Sequence, residues 1–434
     1  MSRSTARRRR LERVASVVAA ALMSLPVPAC ESGKPRGAGV PLEPPQVLVS
    51  LSGGIEVRHG GFGSALARDP RDTASFFLLA DRGPNVDGFR PGEKIFPVPS
   101  FTPRIGRFQL KGGRFVRAAV IPLSDEQGHP LSGLPQPPGA GATGEMGTDL
   151  AGNRLPSGGE APAGYSERGF DLEGLAPMSD GSFWLSDEYG PFLIHVGPDG
   201  RIRERVSPFG GNRSLPAVLA RRRPNYGMEG LARLPDGTLV GLMQGPLENP
   251  GPNVPGIRRT RLTRLVWYDP ASGRSRQFVH LLERPDLMNT AIAARSATSL
   301  LTIERDAGLP ADGGVVKRIY RVDLREATDV SGDPASPTGL RVEGRTLEEL
   351  TIDAEDPAAL LASHGIRVAG KMLAADLLQL EVPYPHDKPE GIAILDDSTV
   401  AVSNDDDFGL VDGDIPGEVR QKRDYAEIRV VRIR

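Results

Sequence analysis

Leu172-Glu173-Gly174-Leu175-Ala176, Met228-Glu229-Gly230-Leu231-Ala232 and Pro389-Glu390-Gly391-Ile392-Ala393 are three copies of one phrase. Each carries a glutamate at the same place, and seven residues later each reaches an aspartate: Asp180, Asp236 and Asp397. Gly181, Gly237 or Ser398 follows, and then an apolar run ending in a polar cluster: Ser186-Asp187-Glu188, Met243-Gln244 and Ser403-Asn404-Asp405. A repeated strand–turn–strand unit is the mark of a radially built all-β protein. Equivalent carboxylates in several units then converge on one axis. The expected fold is therefore an all-β propeller.

Composition agrees. Among 434 residues, Gly 52 and Pro 40 are high and helix-period segments are scarce, which favours short strands joined by turns. Phe76 to Ala80, Phe183 to Ser186, Leu193 to Val196, Leu262 to Tyr268, Ile319 to Leu324 and Ala426 to Ile433 read as strands. Leu123 to Tyr165, full of Gly and Pro, reads as a surface insert, and Leu347 to Leu380 as a short helical excursion between strands. Six four-stranded blades of roughly 65 residues each accommodate the chain. The 161 residues from Glu229 to Glu390 leave room for two units without the Glu-Gly signature. Leu301 to Asp306, containing Glu304, reads as the strand end of one of these.

Residues 1–29 read as an export signal: a basic start around Arg7 to Arg10, an apolar segment from Val14 to Leu25, then Pro26 to Ala29. Twelve apolar residues are too few to span a bilayer as a helix. Cys30 is the single cysteine, which excludes an internal disulfide. Val27-Pro28-Ala29-Cys30 resembles a bacterial lipobox, making Cys30 a candidate lipidated residue and a lipid anchor the expected contact with membrane. Plain secretion is the alternative. Residues 30–46 read as a flexible tether, and 47–434 as the propeller domain. Without the six arginines and one glutamate of residues 1–29, 53 basic and 55 acidic side chains become 47 and 54, a formal net of −7. That balance excludes a nucleic-acid partner and suits carboxylates that gather cations.

Glu173, Glu229 and Glu390 at a common mouth are mutually repulsive unless a cation neutralises them. Oxygen donors without cysteine or clustered histidine favour Ca²⁺, with Mg²⁺ or Mn²⁺ next. Asp81, Asp187, Glu304, Asn404, Asp405 and Asp407 end other apolar runs and are candidate further ligands. The Asp-Gly aspartates Asp180 and Asp236 are assigned to hairpin turns. Asp405 to Gly409 does not continue as an EF-hand loop, because Pro416 stands where the last ligand belongs. Gly139 to Gly144 formally fits a dinucleotide fingerprint, yet it has no preceding strand or following helix and is discarded. His386 is the one histidine beside a repeat glutamate and is a candidate site residue.

Glu-Gly-Leu-Ala with the later Ser186-Asp187-Glu188-Tyr189-Gly190 is one distinctive combination. Asp81-Arg82-Gly83-Pro84-Asn85 is a second, and Lys388-Pro389-Glu390-Gly391-Ile392 leading to Ser403 to Gly409 is a third. Together they resemble the phytase-like propeller family called "esterase-like activity of phytase", over roughly residues 51–433. The resemblance implies an exported bacterial propeller and Ca²⁺-dependent hydrolysis of phosphate esters; the expected partner is a small-molecule ester, and a monomer is expected. It implies that Arg82, Arg305 and Lys388 complement phosphate charge, and that one of Glu173, Glu229 and Glu390 is a general base in place of a ligand. Two rival readings are a lactonase-type propeller opening a cyclic carboxylic ester and a non-catalytic, metal-braced propeller that binds a partner.

Overall fold

The computed structural model describes residues 39–43, 46–139, 141–157, 159–211 and 213–434. The signal segment 1–29, Cys30 and the first part of the tether lie outside these residues. Among the described residues are five four-stranded antiparallel sheets, where six were expected. The first holds Ala65–Asp69, Asp72–Ala80, Arg104–Lys111 and Arg114–Pro122. The second holds Leu172–Pro177, Phe183–Asp187, Phe192–Val196 and Ile202–Val206. The third holds Met228–Arg233, Leu239–Met243, Leu262–Tyr268 and Ser275–Leu281. The fourth holds Met288–Ala294, Ser299–Arg305, Lys317–Asp323 and Gly370–Asp376. The fifth holds Pro389–Ile394, Thr399–Asn404, Glu427–Arg432 and, from the other end of the chain, Val40–Pro41.

The stretch from Glu229 to Glu390 therefore supplies one further sheet, where room for two had been read. The difference is the excursion between the third and fourth strands of the fourth sheet. It contains helices Leu347–Leu350 and Pro357–Ser363, started by Thr346 and Asp356 side chains accepting from Glu349 and Ala359 backbone N–H groups. Buried Leu347, Leu350 and Leu361 pack on Leu262 and Val279 of the third sheet. Leu373, read with the helical part, belongs to the strand that completes the fourth sheet.

The first strand of each sheet packs on that of the next, in the order first, second, third, fourth, fifth, and the fifth meets the first. Leu66, Leu175, Leu231, Ile292 and Ile392, one from each first strand, line a common cavity of about 240 Å³. Glycine permits this approach. A Cβ on Gly174 would lie 2.6 Å from the Leu231 nitrogen, and one on Gly391 would lie 2.7 Å from the Leu66 nitrogen. The glycine of the repeated phrase thus answers to inter-sheet distance. Ser186 Oγ donates to the Glu229 carbonyl at 2.8 Å and Ser403 Oγ to the Gly63 carbonyl at 3.1 Å, so the serine of the repeat stitches adjacent sheets. The turn role of Asp180 and Asp236 holds: each accepts from the backbone N–H two residues on, at 2.9 and 3.0 Å. In the third copy Asp396 takes that place, accepting from Ser398 at 2.8 Å.

Two segments behave differently from their reading. Val40 and Pro41, assigned to the tether, pair with Ile428 and Glu427, and Leu42 is buried in the core beneath. The 123–165 insert is only partly surface. Its Met146–Thr148 strand runs parallel to Glu93–Ile95, and Leu134 and Leu155 form a small core with Phe96.

Candidate metal centre

Each repeat glutamate sits on a local irregularity of its first strand. Pairing with the second strand skips one residue between Leu172 and Gly174, between Met228 and Gly230, and between Pro389 and Gly391. The skipped residue is the glutamate, a bulge that re-aims its side chain. The fourth sheet skips Thr290 in the same way. Glu173, Glu229 and Glu390 line one cavity of about 330 Å³, so residues up to 217 positions apart in the chain meet.

The second strands contribute a further set. Register places Asp187, Glu304 and Asn404 at equivalent positions, opposite Leu172, Asn289 and Pro389. These three expected ligands do not line the cavity. Asp187 is buried and accepts from the Asp171 and Gly190 backbones at 2.7 and 2.8 Å. Glu304 is buried with His280 and Lys371, 3.1 and 2.5 Å away. Asn404 accepts from the Glu427 N–H at 2.9 Å and donates to the Tyr425 carbonyl. One position further along, Asp81, Glu188, Gln244, Arg305 and Asp405 all line the cavity. Strand side chains alternate faces, so a one-residue difference decides between sheet interior and mouth.

Asp81, Asp171 and Glu173 bring one carboxylate oxygen each to within 4.8 Å of one another, and all three are buried. Asp171 Oδ1 and Glu173 Oε2 have no hydrogen-bonding partner. Asp81 accepts from the Gly83 N–H at 2.9 Å, and Arg82 Nε stands 3.3 Å from Asp171. Burial, then the adjacent Asp171 charge, pushes the Asp81 carboxyl up to about 8. Burial, then Glu229 and Asp171, raises Glu173 well above the usual carboxylate range. Burial, then Glu390, raises Glu229, against the opposing pull of Arg305 and of the Gln244 amide bonded to it at 3.1 Å. Buried carboxylate oxygens that lack donors are what an oxygen-coordinating divalent cation satisfies, so the residues present fit one.

The rest of the mouth carries its own cations. Arg305 is ion-paired with Glu390. Lys388 Nζ lies 3.3 Å from Asp405 and 2.5 Å from Asp407, and Lys422 Nζ lies 2.5 Å from Asp407 and 3.0 Å from Asp387. Burial raises Asp407, but Lys388 and Lys422 outweigh it and hold the carboxyl well below its usual range. Arg82 lines the cavity and is engaged by Asp171 and by Glu145 at 3.0 Å, the latter from the 123–165 insert. His386 does not line the cavity; its Nδ1 bonds Asp424 at 2.5 Å and its Nε2 lies 2.9 Å from Glu427.

Residues absent from the sequence-based candidates are Asp171, Glu188, Gln244, Lys422 and the insert's Glu145. Asp171 stands two residues before Glu173, and Glu188 and Gln244 stand within the quoted polar clusters, so the signal was present for these. For Glu145 and Lys422 only the folded chain brings them near.

Residues 57–408 match the family described as "Phytase-like: Esterase-like activity of phytase". The chain belongs to that family. A relative from Arthroderma benhamiae, named "Uncharacterized secreted protein", is 27% identical over 267 residues, 51% of this chain and 51% of the relative. The chain thus spans about half the length of that relative. Among solved structures, a Dyadobacter fermentans protein of unknown function is 12% identical with a TM-score of 0.36, covering 91% of this chain and 100% of the other. The PQQ-bound aldose sugar dehydrogenase of Streptomyces coelicolor is 12% identical with a TM-score of 0.31, covering 92% of this chain and 100% of the other.

Proposed function

We propose that this chain is a divalent-cation-dependent hydrolase of phosphate esters, built as a closed five-bladed propeller and acting outside the cytoplasm. The serial contact of the five first strands supports closure. The family match supports ester hydrolysis, and the secreted relative together with the signal-like residues 1–29 supports export. The observation that carries the chemistry is the pair of buried, partnerless oxygens on Asp171 and Glu173 beside Asp81.

In this reading Asp81, Asp171 and Glu173 hold the cation, for which Ca²⁺ is the first choice. When bound, such an ion neutralises the mouth and polarises a phosphoryl oxygen. Arg305 and Lys388, both at the cavity surface, hold the ester's remaining negative charge in place. Glu229, whose proton affinity burial and the Glu390 charge raise, accepts the proton of the attacking water. Gln244 orients it through the 3.1 Å hydrogen bond.

The test is phosphate release from nitrophenyl phosphate and from phytate, with chelator and with restored Ca²⁺, Mg²⁺ or Mn²⁺. Release that is lost with chelator, restored by cation and absent in Glu229→Gln is expected. Turnover of a lactone or a carboxylic ester without phosphate release would overturn the phosphate assignment. Absence of turnover on every ester would leave the non-catalytic binder.

A further inference from the structure

The repeated sheets place equivalent residues around the mouth. In the second sheet the first strand is entered through Asp171-Leu172-Glu173, and in the fifth through Lys388-Pro389-Glu390, with the skipped glutamate at the same place in both. The neighbouring sheet contributes the residue that follows its second strand's pairing position. That residue is Asp81 beside the second sheet and Arg305 beside the fifth. The triad Asp81–Asp171–Glu173 is therefore matched, position for position, by Arg305–Lys388–Glu390. Three acids in one place correspond to two cations and an acid in the other.

Arg305 and Glu390 are buried like the triad while Lys388 is half-buried, and only the first set leaves carboxylate oxygens without partners. In the second, Arg305 is paired with Glu390, and Lys388 bridges Asp405 and Asp407. Lys422 reaches the other oxygen of Asp407 and continues to Asp387, extending the internal neutralisation to acids behind the mouth. Two fixed positive charges at the second place equal the charge of one divalent ion, and a further cation there would meet repulsion from both.

We propose that the mouth takes one divalent cation, at Asp81–Asp171–Glu173, and that Arg305 and Lys388 are tethered substitutes for a second ion at the symmetry-matched position. This rests on the functional reading above for the existence of the first ion, and adds the number of ions and the role of the two basic residues. It also gives those residues a reason to stand among acids. They make the junction of the fourth and fifth sheets independent of metal supply and leave their outward N–H groups for an anionic substrate.

The experiment is equilibrium dialysis of the chelator-stripped full chain against Ca²⁺, with bound metal counted by elemental analysis. One ion per chain is expected, falling to none in Glu173→Gln. The double variant Arg305→Gln, Lys388→Gln, checked for native circular dichroism, is expected to rise to two. Two or more ions on the unaltered chain would overturn the proposal without any variant having to fold, as would a double variant that folds and still binds one. No ion on the unaltered chain would sink the metal-dependent reading itself, a result distinct from the other two.

Discussion

Glu173 and His386 were both read as site residues, and their surroundings give them opposite consequences on removal. Glu173→Gln takes away a carboxylate that burial and its acidic neighbours keep hard to ionise. Cation binding should therefore disappear, and with it turnover, by more than the roughly 10–100-fold typical of losing a group that only supports a ligand. The same substitution should raise the melting temperature of chelated protein, because an amide in that buried place carries no cost of holding a proton that the unfolded chain releases. Dialysis and a thermal melt on one preparation check both. His386 should leave turnover untouched. Burial lowers its proton affinity, but the Asp424 and Glu427 carboxylates outweigh that and raise it above the usual 6.5. A histidine whose folded value is raised contributes its stability in full below about pH 6.5 and loses it as pH climbs through the folded value. His386→Gln should thus cost about 1–3 kcal/mol at pH 6 and less at pH 9 by denaturant unfolding, with activity at a fixed pH retained. An equal loss at both pH values would show the imidazole to be uncharged.

At the scale of the strand, the first two strands of each sheet do most of the positioning. Ser186 fixes the backbone of Glu229 across the gap between sheets. Ser186→Ala leaves that buried carbonyl without this donor, and a loss of about 1–3 kcal/mol is expected, together with a lower kcat as Glu229 loses its anchored backbone. Gly391→Ala is the harsher change. The new methyl would fall 2.2 Å from Ser403 Oγ and 2.7 Å from the Leu66 nitrogen, so the fifth and first sheets must part, at about 1–3 kcal/mol or more. Denaturant midpoints of the two variants check this order. These elements also mark what could be read in advance. Glu173, Glu229 and Glu390 were legible because three copies of one phrase survive in the sequence. Asp187, Glu304 and Asn404 were misplaced because the run's end does not say which of two adjacent residues faces the mouth. The bulge that sets the phase is a pairing irregularity, visible only once the partner strand is known.

The whole molecule divides in the same manner. Strand-rich character followed from turns and short apolar runs, while the number of sheets did not. A 161-residue interval admits two units or one unit with a helical insert, and the insert's burial against Leu262 and Val279 is a long-range fact. Likewise Val40 and Pro41 look like tether locally, yet they complete the fifth sheet with the far end of the chain. The concentration of acids at one mouth has a consequence for the entire fold. Asp81, carried from the usual 3.8 to about 8, binds its proton more tightly folded than unfolded. Between about pH 4 and pH 8 the native chain then holds protons that the unfolded chain has released, so stability falls as pH rises. Chelated protein should melt at progressively lower temperature from pH 5 to pH 8. A cation bound to the ionised form reverses the order. At a free concentration 100 times its dissociation constant it adds about 2.7 kcal/mol, and because it competes with protons its gain grows toward pH 8. Melting curves at pH 5 and pH 8, with chelator and with Ca²⁺, should diverge with rising pH. Parallel shifts at both pH values would mean the ion binds away from Asp81, Asp171 and Glu173.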